Sequence, residues 1–217
     1  MINNLAGKKA PKEILEDIEK LLEAYYVNKP DVNIQNQKVS FGTSGHRGSS
    51  TKSSFNEDHI LAITQALCEY RKNAGITGVM HIGIDTHALS TPAQETALQV
   101  FLANEVQCKI AAKNTYTPTP VMSFTIIESN KNSKDLNDGV IITPSHNPPC
   151  DGGFKYNTPN GGPSDTDVTS VIEKRANEIL KNGLKDVKFL PKDKIYESKF
   201  LEIADFITPY VKALDTI

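Results

Sequence analysis

Short apolar runs alternate with segments of helical periodicity along this 217-residue chain, and no other sequence feature restricts its fold as strongly. The runs 79–84, 106–112 and 139–142 have the length and composition of buried strands. A helical segment from Thr91 to Asn104 follows the first run, and another, opened by TPTP and reaching Ile127, follows the second. Repeated strand–helix units predict an α/β fold of layered repeats with a mixed, largely parallel sheet.

Further elements are indicated by helical spacing and by Gly and Pro positions. Apolar residues at helical spacing predict a helix from Pro11 to Pro30. Ser54 and Glu57 have the spacing of a capping box, so a helix is expected to start near Ser54 and to end at Gly75. The other expected elements are a strand at 39–41, an extended loop over GTSGHRGSS, a helix at 165–182, a loose linker with a short strand at 184–198, and a helical segment at 200–217 interrupted by Pro209.

Charge and cysteine content exclude several classes of protein. The 24 Lys and Arg nearly balance the 26 Asp and Glu, so neither nucleic acid nor a membrane surface is expected as a partner. A small anionic ligand remains compatible with this balance. Cys68, Cys108 and Cys150 are widely spaced and odd in number, which argues against a disulfide framework and favours a reducing cytoplasm. The sequence shows neither a leader-like N-terminus nor a spanning apolar run, so we expect a soluble, cytoplasmic protein.

Residues 141–165 form a stretch rich in Pro and Gly directly after an apolar strand, and we expect a functional loop there. The triplet Ser-His-Asn is held between Pro144 and Pro148, and ligands of α/β sheets bind beyond the carboxyl ends of strands. This places Ser145 where a ligand binds. A serine hydroxyl needs a base or cations to react, and His146 and Lys155 are the nearest candidates. A loop histidine and a lone lysine are also common solvated surface groups, so both interpretations stay open at this point.

The segment GTSGHRG is a second candidate for anion binding. Gly42, Gly45 and Gly48 allow backbone N–H groups to face a phosphate, and Arg47 can bind its oxygens through two N–H groups. The segment is neither a Walker A motif nor GxGxxG, and such a glycine loop is structural about as often as it is functional. Two loops rich in small and cationic residues, each expected after a strand, are predicted to converge on one anionic ligand.

Taken together, these segments resemble the α-D-phosphohexomutase family, and most closely its bacterial phosphoglucomutase branch. The resemblance is carried by VSFGTSGHRG, SFNEDHILAI, DTHALSTPA, TPTP and ITPSHNPPCDGGFKYNTPNGGPSD, over about 39–167, and AYYVNKP is similar as well. It implies that the chain is the N-terminal domain I of such an enzyme. The implied organisation is an N-terminal helix and lead-in at 1–38, domain I with the phosphoserine loop at 39–205, and the start of a second domain at 206–217.

The resemblance also implies a reaction. Ser145 carries a phosphate that it donates to glucose 1-phosphate or glucose 6-phosphate, and glucose 1,6-bisphosphate reorients and returns its other phosphate. Mg²⁺ bound to the serine phosphate neutralises developing charge. Lys155, His146 and Arg47 are implied as catalytic residues beside Ser145, with proton transfer assigned to Lys155. The implied phosphate-binding or substrate-binding residues are Thr43, Ser44, His46, Arg47 and Asn147.

The family's aspartate-rich metal loop does not occur in this sequence, so we expect the carboxylate ligands of Mg²⁺, and most sugar contacts, to lie outside this chain. Asp165 and Asp167 have D-x-D spacing, but they stand at a predicted helix start, where N-capping is the favoured interpretation. The chain is therefore expected not to turn over substrate by itself and to act with the C-terminal domains of the same enzyme. Cys150 occupies a position that is often acidic in related sequences; it is either a tolerated substitution or an exposed, oxidation-sensitive thiol.

Two other functions remain as alternatives. One is a non-catalytic, truncated module that binds sugar phosphates or is phosphorylated at Ser145 without turnover. The other is a dinucleotide-binding domain, which the lack of a GxGxxG fingerprint disfavours. His59, His81 and His87 show no ligand spacing and are expected to be structural, although Asp85 and His87 follow a strand and a supporting role at the edge of the site stays open. The preference for glucose over mannose or glucosamine phosphates follows from the resemblance alone.

Overall fold

The computed structural model describes residues 5–42, 45–112 and 115–215, which form a six-stranded sheet covered by helices. The strands are β1 His46–Ser49, β2 Met80–Ile84, β3 Cys108–Ala111, β4 Asp138–Ile142, β5 Asp151–Asn157 and β6 Leu201–Ala204. The helices are α1 Ile18–Val27, α2 Glu57–Asn73, α3 Ser90–Ala103, α4 Thr119–Asn130, α5 Thr166–Lys181 and α6 Ile207–Leu214. None of the described helices is long and apolar enough to cross a membrane.

The sheet is mixed and largely parallel, as the sequence predicts. Its strand order is β1-β5-β4-β2-β3-β6, and β4, β2, β3 and β6 are parallel neighbours. Strand β5 runs antiparallel to both β4 and β1. Parallel strands buried on both faces require helical crossovers, which α3 and α4 supply.

Helices cover both faces of the sheet and divide the core into two clusters. On one face α2 contacts α3 and α5, and their apolar side chains pack with Val140 and Ile142 of β4. On the other face α4 packs through Val121, Met122 and Ile126. Gly139 of β4 allows this close approach, since a Cβ there would lie 2.7 Å from the Ile126 Cδ1 atom.

The predicted strand at 39–41 is wrong, although Val39 and Phe41 are fully buried. The backbone groups of these residues bond to side chains of α5 instead of to another strand. The N–H of Val39 donates to Asn177 Oδ1 at 3.0 Å, and the N–H of Phe41 donates to Glu173 Oε2 at 2.8 Å. The strand of this region is β1, which lies inside the segment GTSGHRGSS that we expected to be a loop.

The long loop expected at 141–165 is interrupted by β5, which the sequence analysis missed. Phe154 and Tyr156 of β5 are buried, and Val140 pairs with Tyr156 while Arg47 pairs with Gly153. The functional loop after β4 is therefore only eight residues long, from 143 to 150, and it returns the chain directly into the sheet.

Both helix starts near the N-terminus differ from the prediction. Helix α1 begins only at Ile18. Ile14 and Leu15, which lie inside the helix predicted from Pro11, are 57% and 61% exposed beside a 3₁₀ turn. Helix α2 begins after Asn56, whose backbone N–H donates to His59 Nδ1 at 3.1 Å, so the capping residues are not Ser54 and Glu57. Sequence spacing identified the helices but not their first turns.

The C-terminal part also differs from the prediction. The short strand placed in the linker 184–198 is in fact β6, which lies in the segment expected to be helical. Helix α6 tolerates Pro209 because the proline lies in its first turn, where backbone N–H groups have no intrahelical partner. Phe206 is buried against the α4 cluster, and the assignment of 206–217 to a second domain stays a prediction.

Candidate active site

The serine-bearing loop lies where the strand order of the sheet reverses. From β2 the chain crosses to β3 on one side, whereas from β4 it turns to β5 on the other side. The carboxyl ends of β2 and β4 therefore form the kind of crevice in which open α/β sheets bind ligands. The N–H of Asp85, which follows β2, donates to the carbonyl of Ile142 at 3.1 Å and ties the two strand ends together.

Ser145 is exposed in this crevice and has a left-handed backbone, with φ of 71°. Its N–H donates to Thr143 Oγ1 at 2.9 Å. A non-glycine residue in this region costs roughly 1–3 kcal/mol and persists where its surroundings fix it. The turn between Pro144 and Pro148 thus presents the hydroxyl of Ser145 to solvent in a defined direction.

Lys155 of β5 supplies the closest contact of the serine hydroxyl. Its Nζ atom donates to Ser145 Oγ at 2.5 Å, because β5 pairs Lys155 with Ile141, four residues before the serine. Partial burial lowers the pKa of Lys155, and the positive charge of Arg47 lowers it further, while Asp85 acts in the opposite direction. A lysine with a lowered pKa can exchange a proton with the hydroxyl that it contacts.

Arg47 lies on the same side of the sheet as Lys155, because it pairs with Gly153 two residues earlier in β5. Its Nη1 atom donates to Asn147 Oδ1 at 3.1 Å. Asn147 in turn donates through Nδ2 to Asp151 Oδ2 at 2.9 Å. Arg47 and Lys155 therefore bring two cationic donors suited to an anion to the turn of Ser145.

Two glycines make this arrangement sterically feasible. A Cβ on Gly153 would overlap the carbonyl oxygen of Thr143, at the base of the serine turn. Gly45 has φ of 118°, and a Cβ there would lie 2.5 Å from the carbonyl oxygen of Phe154 and 2.7 Å from Lys155 Cγ. Side chains at either position would push the segments of the site apart.

The other predicted residues are distributed unevenly. His146 is exposed beside Ser145, and none of the described residues forms a hydrogen bond with its ring. His46 of β1 pairs with Phe154 of β5, so the ring of His46 faces the core. It stacks against the ring of His59 at a centroid distance of 5.0 Å. Burial and the neighbouring His59 lower the pKa of His46 to about 3. The structure therefore does not bring His46 to the serine, and Thr43 and Ser44 lie outside the described residues.

Within the ranges that the structure describes, no group of three or more His, Cys, Asp or Glu side chains is arranged to hold a metal ion. Asp165 stands at the N-cap of α5, as predicted, but its side chain makes no capping hydrogen bond, and Asp167 lies in the first turn.

Cys150 is half-buried, and its Sγ atom lies 3.7 Å from Asp151 Oδ1. Burial raises the pKa of its thiol, and the negative charges of Asp151 and Glu16 raise it further. Because the thiolate is the reactive form, these features argue against the oxidation-sensitive thiol that the sequence left open.

A cluster at the end of β2 was left open by the sequence analysis. Asp85 accepts hydrogen bonds from the His87 backbone N–H at 2.9 Å and from Ser90 Oγ at 2.6 Å. His87 also reaches the serine loop, with its Nε2 atom 3.3 Å from the carbonyl oxygen of Asn147. The only sequence sign of this cluster is the polar segment DTHALS directly after an apolar strand.

Residues 38–183 match the family model described as phosphoglucomutase/phosphomannomutase, alpha/beta/alpha domain I. This match covers most of the chain and agrees with the fold and the serine loop, so the chain belongs to the phosphoglucomutase/phosphomannomutase family. Within that family it is similar to a phosphoglucomutase from Komagataeibacter xylinus, with 53% identity over 217 residues, which is 100% of this chain and 39% of that protein.

More distant relatives belong to the same family, and this chain again matches only part of their length. Phosphoglucomutase 1 of Saccharomyces cerevisiae is 30% identical over 198 residues, or 87% of this chain and 34% of the yeast protein. The open-form crystal structure of the Paramecium exocytosis-sensitive phosphoprotein pp63/parafusin, a phosphoglucomutase, has a TM-score of 0.68 at 18% identity, covering 88% of this chain and 36% of that chain. A Burkholderia thailandensis protein of the phosphoglucomutase/phosphomannomutase family has a TM-score of 0.52 at 19% identity, covering 80% and 35%. The chain thus spans about two fifths or less of the length of these relatives.

Proposed function

We propose that this chain is the serine-bearing part of a phosphoglucomutase, which interconverts glucose 1-phosphate and glucose 6-phosphate through a phosphoserine at Ser145 and glucose 1,6-bisphosphate. The observation that carries the proposal is the contact of 2.5 Å between Lys155 Nζ and the exposed Ser145 Oγ at the reversal point of the sheet. The phosphoglucomutases among the relatives of this chain support the choice of reaction.

The proposed chemistry consists of two phosphoryl transfers. In the first, a sugar hydroxyl oxygen bonds to phosphorus and gives its proton to solvent, while the bond between phosphorus and Ser145 Oγ breaks and that oxygen takes up a proton. In the second, the hydroxyl of Ser145 loses its proton and attacks the other phosphate of the sugar bisphosphate, and the bond from that phosphorus to the sugar oxygen breaks as this oxygen takes a proton from solvent. Lys155 is placed to give the proton to Ser145 Oγ in the first transfer and to take it back in the second.

The electrostatics of the site fit this use of Lys155. The lowered pKa of Lys155, caused by burial and by the charge of Arg47, makes its neutral form more accessible near neutral pH. Arg47 has a second use, because its guanidinium can bind two oxygens of a phosphate held on Ser145. Charge stabilisation and positioning are the main demands of phosphoryl transfer, and these side chains address both.

Part of the proposed machinery lies elsewhere. Mg²⁺ would supply charge neutralisation at the serine phosphate, and we propose that its carboxylate ligands lie outside the described residues. We propose the same origin for the contacts that select the sugar. The chain alone is then not expected to turn over substrate.

The proposal is tested in a chimera in which this chain replaces the matching segment of the Komagataeibacter xylinus phosphoglucomutase. We expect the chimera, supplied with Mg²⁺ and glucose 1,6-bisphosphate, to convert glucose 1-phosphate into glucose 6-phosphate, measured by coupled reduction of a nicotinamide cofactor. The Ser145→Ala variant is expected to show no activity above background, because it lacks the oxygen that carries phosphate.

Thermal unfolding of both proteins serves as the control for folding. A folded chimera without activity, or activity that survives in Ser145→Ala, would contradict the proposal. The first result would favour the non-catalytic phosphate-binding module, and the second would place the transferred phosphate on a residue other than Ser145.

A further inference from the structure

We infer that His87, held by Asp85, is a positioning residue that fixes the serine turn through a hydrogen bond to the backbone carbonyl of Asn147. The inference deepens the proposed function and rests on it for its catalytic consequence. Its structural part, the hold on residues 145–150, can be tested without any measurement of phosphoryl transfer.

The serine turn depends on outside contacts for its shape. Ser145 is in a left-handed conformation, and Pro144 and Pro148 supply no N–H groups. The central anchor is Asn147, which is held at three points: by Arg47 at Oδ1, by Asp151 at Nδ2 and by His87 at the carbonyl oxygen. Two of these contacts use the side chain of Asn147, and the contact with His87 is the one that fixes its backbone.

Asp85 determines how the ring of His87 is oriented. Asp85 Oδ2 lies 2.7 Å from His87 Nδ1, while Oδ1 accepts the His87 backbone N–H and the hydroxyl of Ser90. Burial raises the pKa of Asp85, but hydrogen bonds from Ser90, Thr143 and His87 outweigh it and leave the pKa below its ordinary value. Asp85 is therefore ionised and acts as an acceptor towards the ring.

Both ring nitrogens of His87 face groups that can only accept a hydrogen bond. Nδ1 faces the ionised carboxylate of Asp85, and Nε2 faces the carbonyl of Asn147. A backbone carbonyl only accepts, so the bond to Asn147 uses a proton on Nε2 of the ring. His87 thereby connects the end of β2 to the serine turn 60 residues later.

Two matched substitutions test the two hydrogen bonds of the His87 ring separately. Asparagine at position 87 places an amide nitrogen near the position of Nδ1, so His87→Asn keeps a donor for Asp85 and loses the bond to Asn147. Glutamine places its amide nitrogen near the position of Nε2, so His87→Gln keeps a donor for Asn147. Both replacements are neutral amides of similar polarity, and a residue with only a general structural role would be affected alike by both.

Hydrogen exchange of the purified chain, followed by mass spectrometry, tests the inference directly. In His87→Asn, we expect the two hydrogen-bonded amides of this segment, those of Ser145 and Asp151, to exchange about tenfold faster than in the unaltered chain, the factor that one lost hydrogen bond gives. In His87→Gln, exchange is expected to stay close to that of the unaltered chain. Equal exchange in the two variants, or no change in His87→Asn, would overturn the inference.

The catalytic consequence is measured in the chimera. Misplacement of the serine by His87→Asn is expected to lower kcat by about 10²-fold with little change in KM, and His87→Gln is expected to recover most of that loss. If the exchange result holds and the chimera itself is inactive, the proposed function fails while the hold on the turn stands. If kcat is unchanged in His87→Asn, the positioning role in catalysis is wrong.

Discussion

The Lys155→Met variant of the chimera is expected to transfer phosphate about 10²- to 10⁴-fold more slowly than the unaltered chimera, the usual contribution of one positioned acid or base. Methionine keeps an unbranched apolar side chain at this half-buried position, but it has no group to exchange a proton with Ser145 Oγ. The serine hydroxyl then lacks the donor that lies 2.5 Å from it in the structure. Single-turnover rates in rapid mixing measure this step separately from product release.

Lys155→Arg is the matched control for charge. A guanidinium keeps the positive charge next to the phosphate but does not give up its proton in proteins, so this variant should bind phosphate and still be slow. A rate equal to that of the unaltered chimera in Lys155→Arg would show that Lys155 serves only as a charge. An unchanged rate in Lys155→Met would exclude any part of Lys155 in the reaction.

The largest expected effect on stability comes from a buried ion pair at the other end of the sheet. Arg71 of α2 is 4% exposed and Asp138 of β4 is fully buried. Arg71 Nε donates to both oxygens of Asp138, at 3.1 and 2.9 Å, and Tyr156 Oη donates to Oδ2 at 2.8 Å. Removing the arginine leaves a carboxylate buried without its counter-charge, so Arg71→Met is expected to lower the free energy of unfolding by about 3–5 kcal/mol.

The pH dependence of this loss identifies its cause. Burial already raises the pKa of Asp138, and Arg71 is the group that most opposes this rise. In Arg71→Met the folded-state pKa of Asp138 lies further above its unfolded value, so the loss is greatest near neutral pH and shrinks as acid protonates the carboxyl.

Urea unfolding at two pH values measures this loss, and the double variant Arg71→Met with Asp138→Asn is the control. The neutral amide has no charge to compensate, so the double variant should recover much of the lost stability. A loss below about 1 kcal/mol at neutral pH would show that Arg71 does not hold Asp138 in the manner described.

The central strands were predictable because a strand buried on both faces of a sheet consists mainly of apolar residues. Strands β2 and β4 are buried at every residue and, apart from His81 and Asp138, appear in the sequence as apolar runs. Strand β5, with the sequence DGGFKYN, is different, because its residues serve the site as well as the core. Gly153 makes room for the carbonyl of Thr143, and Lys155 faces Ser145, so the apolar pattern of a strand is lost.

Edge elements were missed for a related reason. Strand β6 has partners on one side only, and its residues are half-buried or exposed, which gives little apolar periodicity. At 39–41 the opposite error arose, because Val39 and Phe41 are buried by packing while α5 side chains bond to their backbone. Apolar composition reports burial, and burial alone does not establish strand pairing.

Sequence reasoning selected Ser145 and Lys155 because the loop and the family resemblance pointed to the same segment. It left His87 open, since the contact of that residue with Asn147 spans 60 positions and no local pattern encodes it. It also grouped His46 with Arg47, although successive residues of a strand face opposite sides of the sheet. The register of β1 on β5 determines that Arg47 faces the site and that His46 faces the core.

The central claim is that the hydroxyl of Ser145 carries the transferred phosphate. The most direct measurement incubates the chimera with Mg²⁺ and glucose 1,6-bisphosphate and maps phosphate by peptide mass spectrometry, with Ser145→Ala in parallel. We predict phosphate on the peptide that contains Ser145 and none on that peptide in the variant. Phosphate confined to another residue, or a folded chimera that takes up none, would contradict the claim.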